Sequence, residues 1–282
     1  MEAENQELNI ATPGVLDKYQ SAGKIAQAVM QEVIQKCVSG ADVSELCVFG
    51  NKRINEEVKK VYNSKKVEKG ISFPVTISVN EVVAAYCPVK EESRKLVSGD
   101  LVKIDLGVHI DCFPVVLAHS VIVDGKTGHA ERLKVASAAW VALQAAVRSL
   151  QVGKTNTDVT KVIGEVSALY ETSAVEGVLS HEIKQYLIDS NKVIIGQDTV
   201  ENKVDTFKFE ANEIFGLDVV ISANQSEGKT KESEARITVY KRNIDANYDL
   251  KSKNGRALLN DVRERFADFA FSLNDFEDQL VM

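Results

Sequence analysis

Apolar residues recur at helical spacing at Ala22, Ile25, Ala26, Val29, Val33, Ile34 and Cys37, which predicts a first helix over residues 17–38, ended by Gly40. Ser44 is the expected cap of a second helix, with Leu46, Phe49, Ile54, Val58 and Val61 turned inward. Two strand-like runs follow at 71–79 and 82–87, then a charged stretch, then strands at 101–108 and 113–123 around a turn at 109–112. A long helix over 130–150 carries Leu133, Ala136, Trp140, Leu143 and Val147 on one stripe. After Gly153 a helix starting at Thr157 runs through Tyr170, and strands are expected at 213–222 and 236–241. Leu258, Leu259, Val262 and Phe266 give the tail a final helical pattern.

That order repeats itself. Helix, glycine, helix and strands lead to Gly99–Asp105 in the first half and to Asn212–Asp218 in the second. The Asp-Val pairs at 42/43 and 158/159 stand about as far apart as the two strand acids. A duplicated helix-helix-sheet unit would relate Asp105 to Asp218 and turn both toward one central cleft.

Composition narrows the function classes. With 282 residues, 44% hydrophobic and 27% charged, the chain has the makings of a soluble protein with a real core. A net charge of -7 excludes a chain that is basic throughout, so any nucleic-acid contact must rest on a local patch. No apolar run approaches the ~18 residues of a membrane span, and the polar, acidic N-terminus is not a secretory signal. The four cysteines, Cys37, Cys47, Cys87 and Cys112, lack CxxC spacing and fit reduced thiols of cytosol or nucleus. No nucleotide loop, GxSxG elbow or HExxH is present.

The candidate chemistry is sparse. If the turn centres on Ile110 and Asp111, Asp105 faces Val116. Two carboxylates there would mark a metal site; one alone reads first as an acid paired with a lysine or with backbone donors. His181 gains interest only if it meets Asp105 and Asp218 in space. Residues 223–256 are locally basic, with Lys229, Lys231, Lys241 and Arg242 at loop and strand ends. They suit phosphate contacts, or simply a solvated loop.

The stretches GISFPVTISVNE (70–81), GDLVKIDLGVHID (99–111), EGVLSHEIKQYLID (176–189) and ITVYKR (237–242) resemble the methionine-aminopeptidase-like family of peptidase M24 type, on its proliferation-associated, ErbB-receptor-binding branch. The resemblance implies an α+β pita-bread (creatinase/aminopeptidase-like) fold with a pseudo-twofold repeat. A flexible arm at 1–16 would precede a domain at 17–282 that includes part of a helical insertion at about 243–282. Aminopeptidases of this fold hold two metal ions. By resemblance Asp105, His181 and Asp218 match three ligands, while Val116 stands where the second aspartate belongs. Ala85 and Asp189 stand where histidines belong. The last glutamate and the strands that close the fold would lie beyond Met282, so a C-terminally truncated version is expected, with an open sheet edge and apolar face. A pseudoenzyme without a metal cofactor is therefore implied. Its expected partners are the ribosome or structured RNA, through Lys229, Lys231, Lys241 and Arg242, together with receptor tails and transcription factors. Its expected residence is cytoplasmic and nuclear or nucleolar. Two alternatives stand beside it: a residual metal-dependent methionine aminopeptidase using Asp105, His181 and Asp218, and a protein-interaction module presenting Leu258, Val262 and Phe266.

Overall fold

The computed structural model describes residues 8–64, 66–125, 128–199, 202–223 and 228–276. The first seven residues of the expected arm, Lys65 of the 65–70 connector, the loop at 224–227 and the end of the expected insertion at 277–282 lie outside them.

Helix α1 (Val15–Lys36) and helix α2 (Val43–Val58) cover one face of an antiparallel sheet of strands β1 (Lys69–Val79), β2 (Leu101–Ile110) and β3 (Phe113–Ile122), in that order. Strand β2 shows why. Val102, Ile104, Leu106, Val108 and Ile110 are each fully buried in the core shared with the helices. Lys103, Asp105, Gly107 and His109 alternate with them and share the opposite face. The cap of α2 is Asp42, whose side chain accepts from the Glu45 N–H at 3.2 Å, rather than Ser44. Residues 82–87 form no strand: the chain turns after β1, and one bond from Ile77 N–H to Tyr86 O (2.8 Å) holds the return.

The β2–β3 turn is tighter than the spacing suggested. Ile110 pairs with Phe113, leaving Asp111 and Cys112 as a two-residue loop, both at positive φ (54° and 59°). The second half grips this tip. Tyr186 N–H donates to Cys112 O (2.7 Å) and Gln185 Nε2 to Asp111 O (3.0 Å), while Lys18 pairs with the Asp111 carboxylate.

In the second half, α3 (Ala130–Ser149) and α4 (Asn156–Leu169) pack on short strands: β4 (Thr172–Ala174) with β8 (Ile221–Ala223), and β5 (Leu179–Glu182) between β6 (Val193–Ile195) and β7 (Phe215–Gly216). The expected 213–222 strand is thus split between two sheets, and α4 starts from a capping box of Thr155 and Asp158. The duplication is visible in the backbone. Gly40 N–H bonds Leu96 O, and Gly153 N–H bonds Phe209 O. Val43 N–H bonds Arg94 O, and Asn156 N–H bonds Phe207 O. Asp42 bridges Lys95, and Thr155 bridges Lys208. Every matched position is displaced by 113 residues, as Asp218 is from Asp105. The counterpart of Asp42 is therefore Thr155, not Asp158.

The α3 stripe is not the side that packs. Ala138, Ala142 and Ala146 are the buried face, whereas Leu133, Trp140 and Val147 are 49%, 57% and 51% exposed. Helical period identifies a stripe but not the side that packs. Here the alanines allow α3 to approach α4 closely, beside Val159 and Ile163. Trp140 is the chain's single tryptophan. Its fluorescence is expected to be quenched by acrylamide almost as readily in the native protein as in urea; strong native protection would place it in a packed interface.

Helix α5 (Lys253–Phe266) follows β9 (Val239–Lys241), which pairs with β10 (Ala270–Ser272). Val262 and Phe266 are buried with Phe276 and Phe271, so this stripe packs on its own segment and leaves Leu258 outside. The segment docks on the first half through Phe269, 1% exposed, whose ring lies 4.7 Å from that of His109.

Candidate functional site

The cleft is built on the polar face of β2. Asp105 pairs in register with Thr76 on β1 and Ala118 on β3. The expected partner, Val116, instead opposes Gly107, because the turn lies one residue further along than Ile110–Asp111. Val116 shares the face of Asp105 as a diagonal neighbour, close enough for a long-range contact across the pleat but not directly opposite. Gly107 is required there: a Cβ would fall 2.5 Å from Ser72 Oγ and 2.7 Å from Phe73 N.

Thr76 Oγ1 donates to Asp105 Oδ2 at 3.1 Å. Burial raises the Asp105 carboxyl to about 6, the Asp218 charge adds to the rise, and the Thr76 bond and Lys103 oppose it. Lys103, two residues earlier on the same face, donates to Asn80 O at 2.7 Å. Burial pushes its ammonium down to about 8 against the pull of Asp105 and Glu81. Thr76 and Lys103 are cleft residues that the sequence reading did not single out. The Lys-Ile-Asp alternation was the available signal, since residues two apart on a strand share a face.

The second half supplies His181 and Asp218. His181 on β5 pairs with Val193 and Gly216. Its Nδ1 lies 3.0 Å from Ser190 O. A carbonyl can only accept, so Nδ1 carries a proton and donates it to Ser190 O. Asp218 follows β7; its backbone N–H donates to Ser180 Oγ at 2.9 Å. Asp218 is exposed to solvent, yet protein atoms crowd around its carboxylate. Burial raises its pKa, with the nearby His181 opposing the rise. Asp105, Asp218 and His181 therefore form an electrostatic chain across the two halves.

The position between the halves is apolar. A Val116 methyl comes within 3.3 Å of where a Cβ on Gly216 would stand, so Val116 fills space against β7 beside the His181 pairing. Val116 offers no ligand atom, and among the described residues no three His, Cys, Asp or Glu side chains are grouped so as to hold an ion. Ala85 is exposed in the return after β1, with φ 59°. Asp189 holds Lys241 Nζ through both carboxylate oxygens, at 2.6 and 2.8 Å. Arg242 pairs with Asp268 and is 16% exposed. Lys229 and Lys231 are exposed. Lys241 and Arg242 thus bind acids of this chain, and all but Arg242 are exposed.

Comparison with known proteins agrees with this frame. Residues 17–238 match metallopeptidase family M24. Proliferation-associated protein A of Dictyostelium discoideum is 40% identical, over 96% of this chain and 71% of its own length. ErbB-3 binding protein 1 of Arabidopsis thaliana is 35% identical, over 99% and 71%. A Schizosaccharomyces pombe protein named Curved DNA-binding protein is 36% identical, over 94% and 70%. Among solved structures, a thermophilic Arx1 superposes with a TM-score of 0.86 at 25% identity, covering 95% of this chain and 78% of that one. The chain therefore belongs to metallopeptidase family M24, with its pita-bread fold, on the branch of the proliferation-associated and ErbB-3-binding relatives.

Proposed function

We propose that this protein is a non-catalytic member of its family that acts as a binding adaptor, with ribosomes or structured RNA as its principal partner in cytoplasm and nucleus. The observation that carries the loss of catalysis is Val116, an apolar side chain seated against Gly216 where a two-metal site needs a bridging carboxylate. A metal ion must be ligated by groups that can lose a proton or offer a lone pair, and a valine offers neither. Supporting a nucleic-acid partner are the exposed Lys229 and Lys231 and the name carried by the S. pombe relative. Lys241 and Arg242 frame the same segment, and their acids, Asp189 and Asp268, would have to be displaced before either could bind phosphate directly. A receptor-tail or transcription partner is the narrower role suggested by the ErbB-3-binding relative.

Binding to purified ribosomes, measured as affinity against salt, tests the reading. Lys229→Glu with Lys231→Glu is expected to flatten the log–log salt slope by about 1–2, one phosphate contact contributing roughly 0.7–0.9. An unchanged slope and affinity would remove this segment from the interface.

A residual aminopeptidase is the second reading, favoured by the electrostatic coupling of Asp105 to Asp218 and of Asp218 to His181. Metal content after dialysis against cobalt or manganese, with cleavage of a Met-peptide, separates the two. The adaptor reading expects neither stoichiometric metal nor turnover. Val116→Asp is then expected to raise divalent-ion affinity, whereas stoichiometric metal and turnover in the unaltered protein would sink it.

A further inference from the structure

Cys47 on α2 and Cys87 in the return after β1 are both fully buried, in one apolar cluster. The two thiols lie close enough to influence each other's ionisation. Cys87 has further company. Ser272 Oγ lies 3.2 Å from its sulfur, and Asn274 Nδ2 donates to it at 3.5 Å. Ser272 Oγ accepts from the Asn274 N–H at 3.1 Å and has a hydroxyl hydrogen that it can donate to Cys87. A neutral thiol is a weak acceptor, so donors converging on one sulfur favour its thiolate. Cys47 first, and then Ser272 and Asn274, hold the Cys87 thiol below its ordinary value against burial and the Asp275 charge, whereas burial pushes Cys47 up. Neither Cys37, pushed by burial to about 11, nor Cys112, raised by burial and Glu68, has such a setting.

We propose that Cys87 is a site of oxidative modification, at which a peroxide converts Cys47 and Cys87 into a disulfide. The Cys87 thiolate attacks a peroxide oxygen, the O–O bond breaks, and Cys87 becomes a sulfenic acid with release of hydroxide. The Cys47 thiol then attacks that sulfur, forming the S–S bond and expelling water. With hydrogen peroxide the sum is two thiols and one peroxide giving one disulfide and two waters; the thiols lose two electrons and the peroxide gains them. Entry requires local opening of the cover, which is small: β10 and the turn after it rest on this spot through Ser272 and through Asn274 Nδ2 to Pro88 O (3.0 Å). Short peripheral elements of this kind open at a fraction of the global unfolding cost. The disulfide withdraws the sulfur that Ser272 and Asn274 address, so oxidation loosens the docking of residues 269–276.

The test is hydrogen peroxide treatment of the native protein, alkylation of remaining thiols, and peptide mapping without reduction. The expected result is loss of two of the four thiols, a 47–87 linked peptide, and faster amide exchange over 269–276 that dithiothreitol reverses. Cys87→Ser, which keeps a small polar group in place, is expected to leave Cys47 reduced under the same treatment. A link between any other pair, a sulfinic acid at Cys87 with Cys47 still reduced, or equal oxidation of Cys47 in Cys87→Ser would each overturn the proposal.

Discussion

Asp105→Asn is expected to stabilise the protein at pH 7 by about 1–2 kcal/mol and to leave it unchanged near pH 3, read from urea unfolding across the pH range. The carboxyl is raised from 3.8 to about 6 in the folded chain, chiefly by burial. Below pH 3.8 both folded and unfolded chains hold the proton, and the group costs nothing. Between pH 3.8 and about 6 the unfolded chain releases it first, so stability falls as pH rises. Above about 6 both states are ionised and the cost is constant. Each tenfold in proton affinity is worth about 1.4 kcal/mol, which caps the gain at about 3. Removing the charge also deprives Lys103 of an attractive neighbour, hence the smaller figure. Lys103 supplies the other limb. Its folded value of about 8 lies below 10.5, so its cost is full below pH 8 and is relieved as pH climbs toward 10.5. Asp105 in a loaded metal site would give the opposite sign, since losing a ligand would release bound ion and destabilise the fold. A destabilised, chelator-sensitive Asp105→Asn protein would therefore contradict the adaptor reading.

Phe269→Ala is expected to cost about 3–5 kcal/mol, the range for truncating a buried aromatic side chain. Phe269 is 1% exposed and covers the His109 ring. His109 is itself buried, and its Nδ1 has no hydrogen-bond partner among the described residues. Burial pushes its pKa down to about 4. The folded value lies below the unfolded 6.5, so this neutral histidine costs stability as pH falls from 6.5 toward 4. Uncovering it in Phe269→Ala is expected to return its NMR titration toward the ordinary range. A loss under about 1 kcal/mol with an unmoved His109 titration would show that residues 269–276 contribute little to the first half.

Much of this was legible because strands and helices impose different periods. The run Val102, Ile104, Leu106, Val108, Ile110 set against Lys103, Asp105, Gly107, His109 reads directly as one apolar and one polar face. What escaped was register and sidedness. Moving the turn to Asp111–Cys112 shifted the partner of Asp105 from Val116 to Ala118, since hairpin register follows loop length. In α3 both candidate faces are apolar, and small alanines won the interior because they permit closer helix contact. The charged segment could be counted but not resolved, because Asp189 lies 52 residues from Lys241 in the chain and no local pattern announces their pairing.

The backbone bonds repeated at an interval of 113 residues have an evolutionary consequence. They are made by main-chain atoms at glycines, caps and strand ends, and none of them involves Val116, His181 or Asp218. The residues that repeat the frame and the residues that line the candidate site are thus different. Substitutions at Val116, His181 or Asp218 can accumulate without removing any of the repeated backbone bonds.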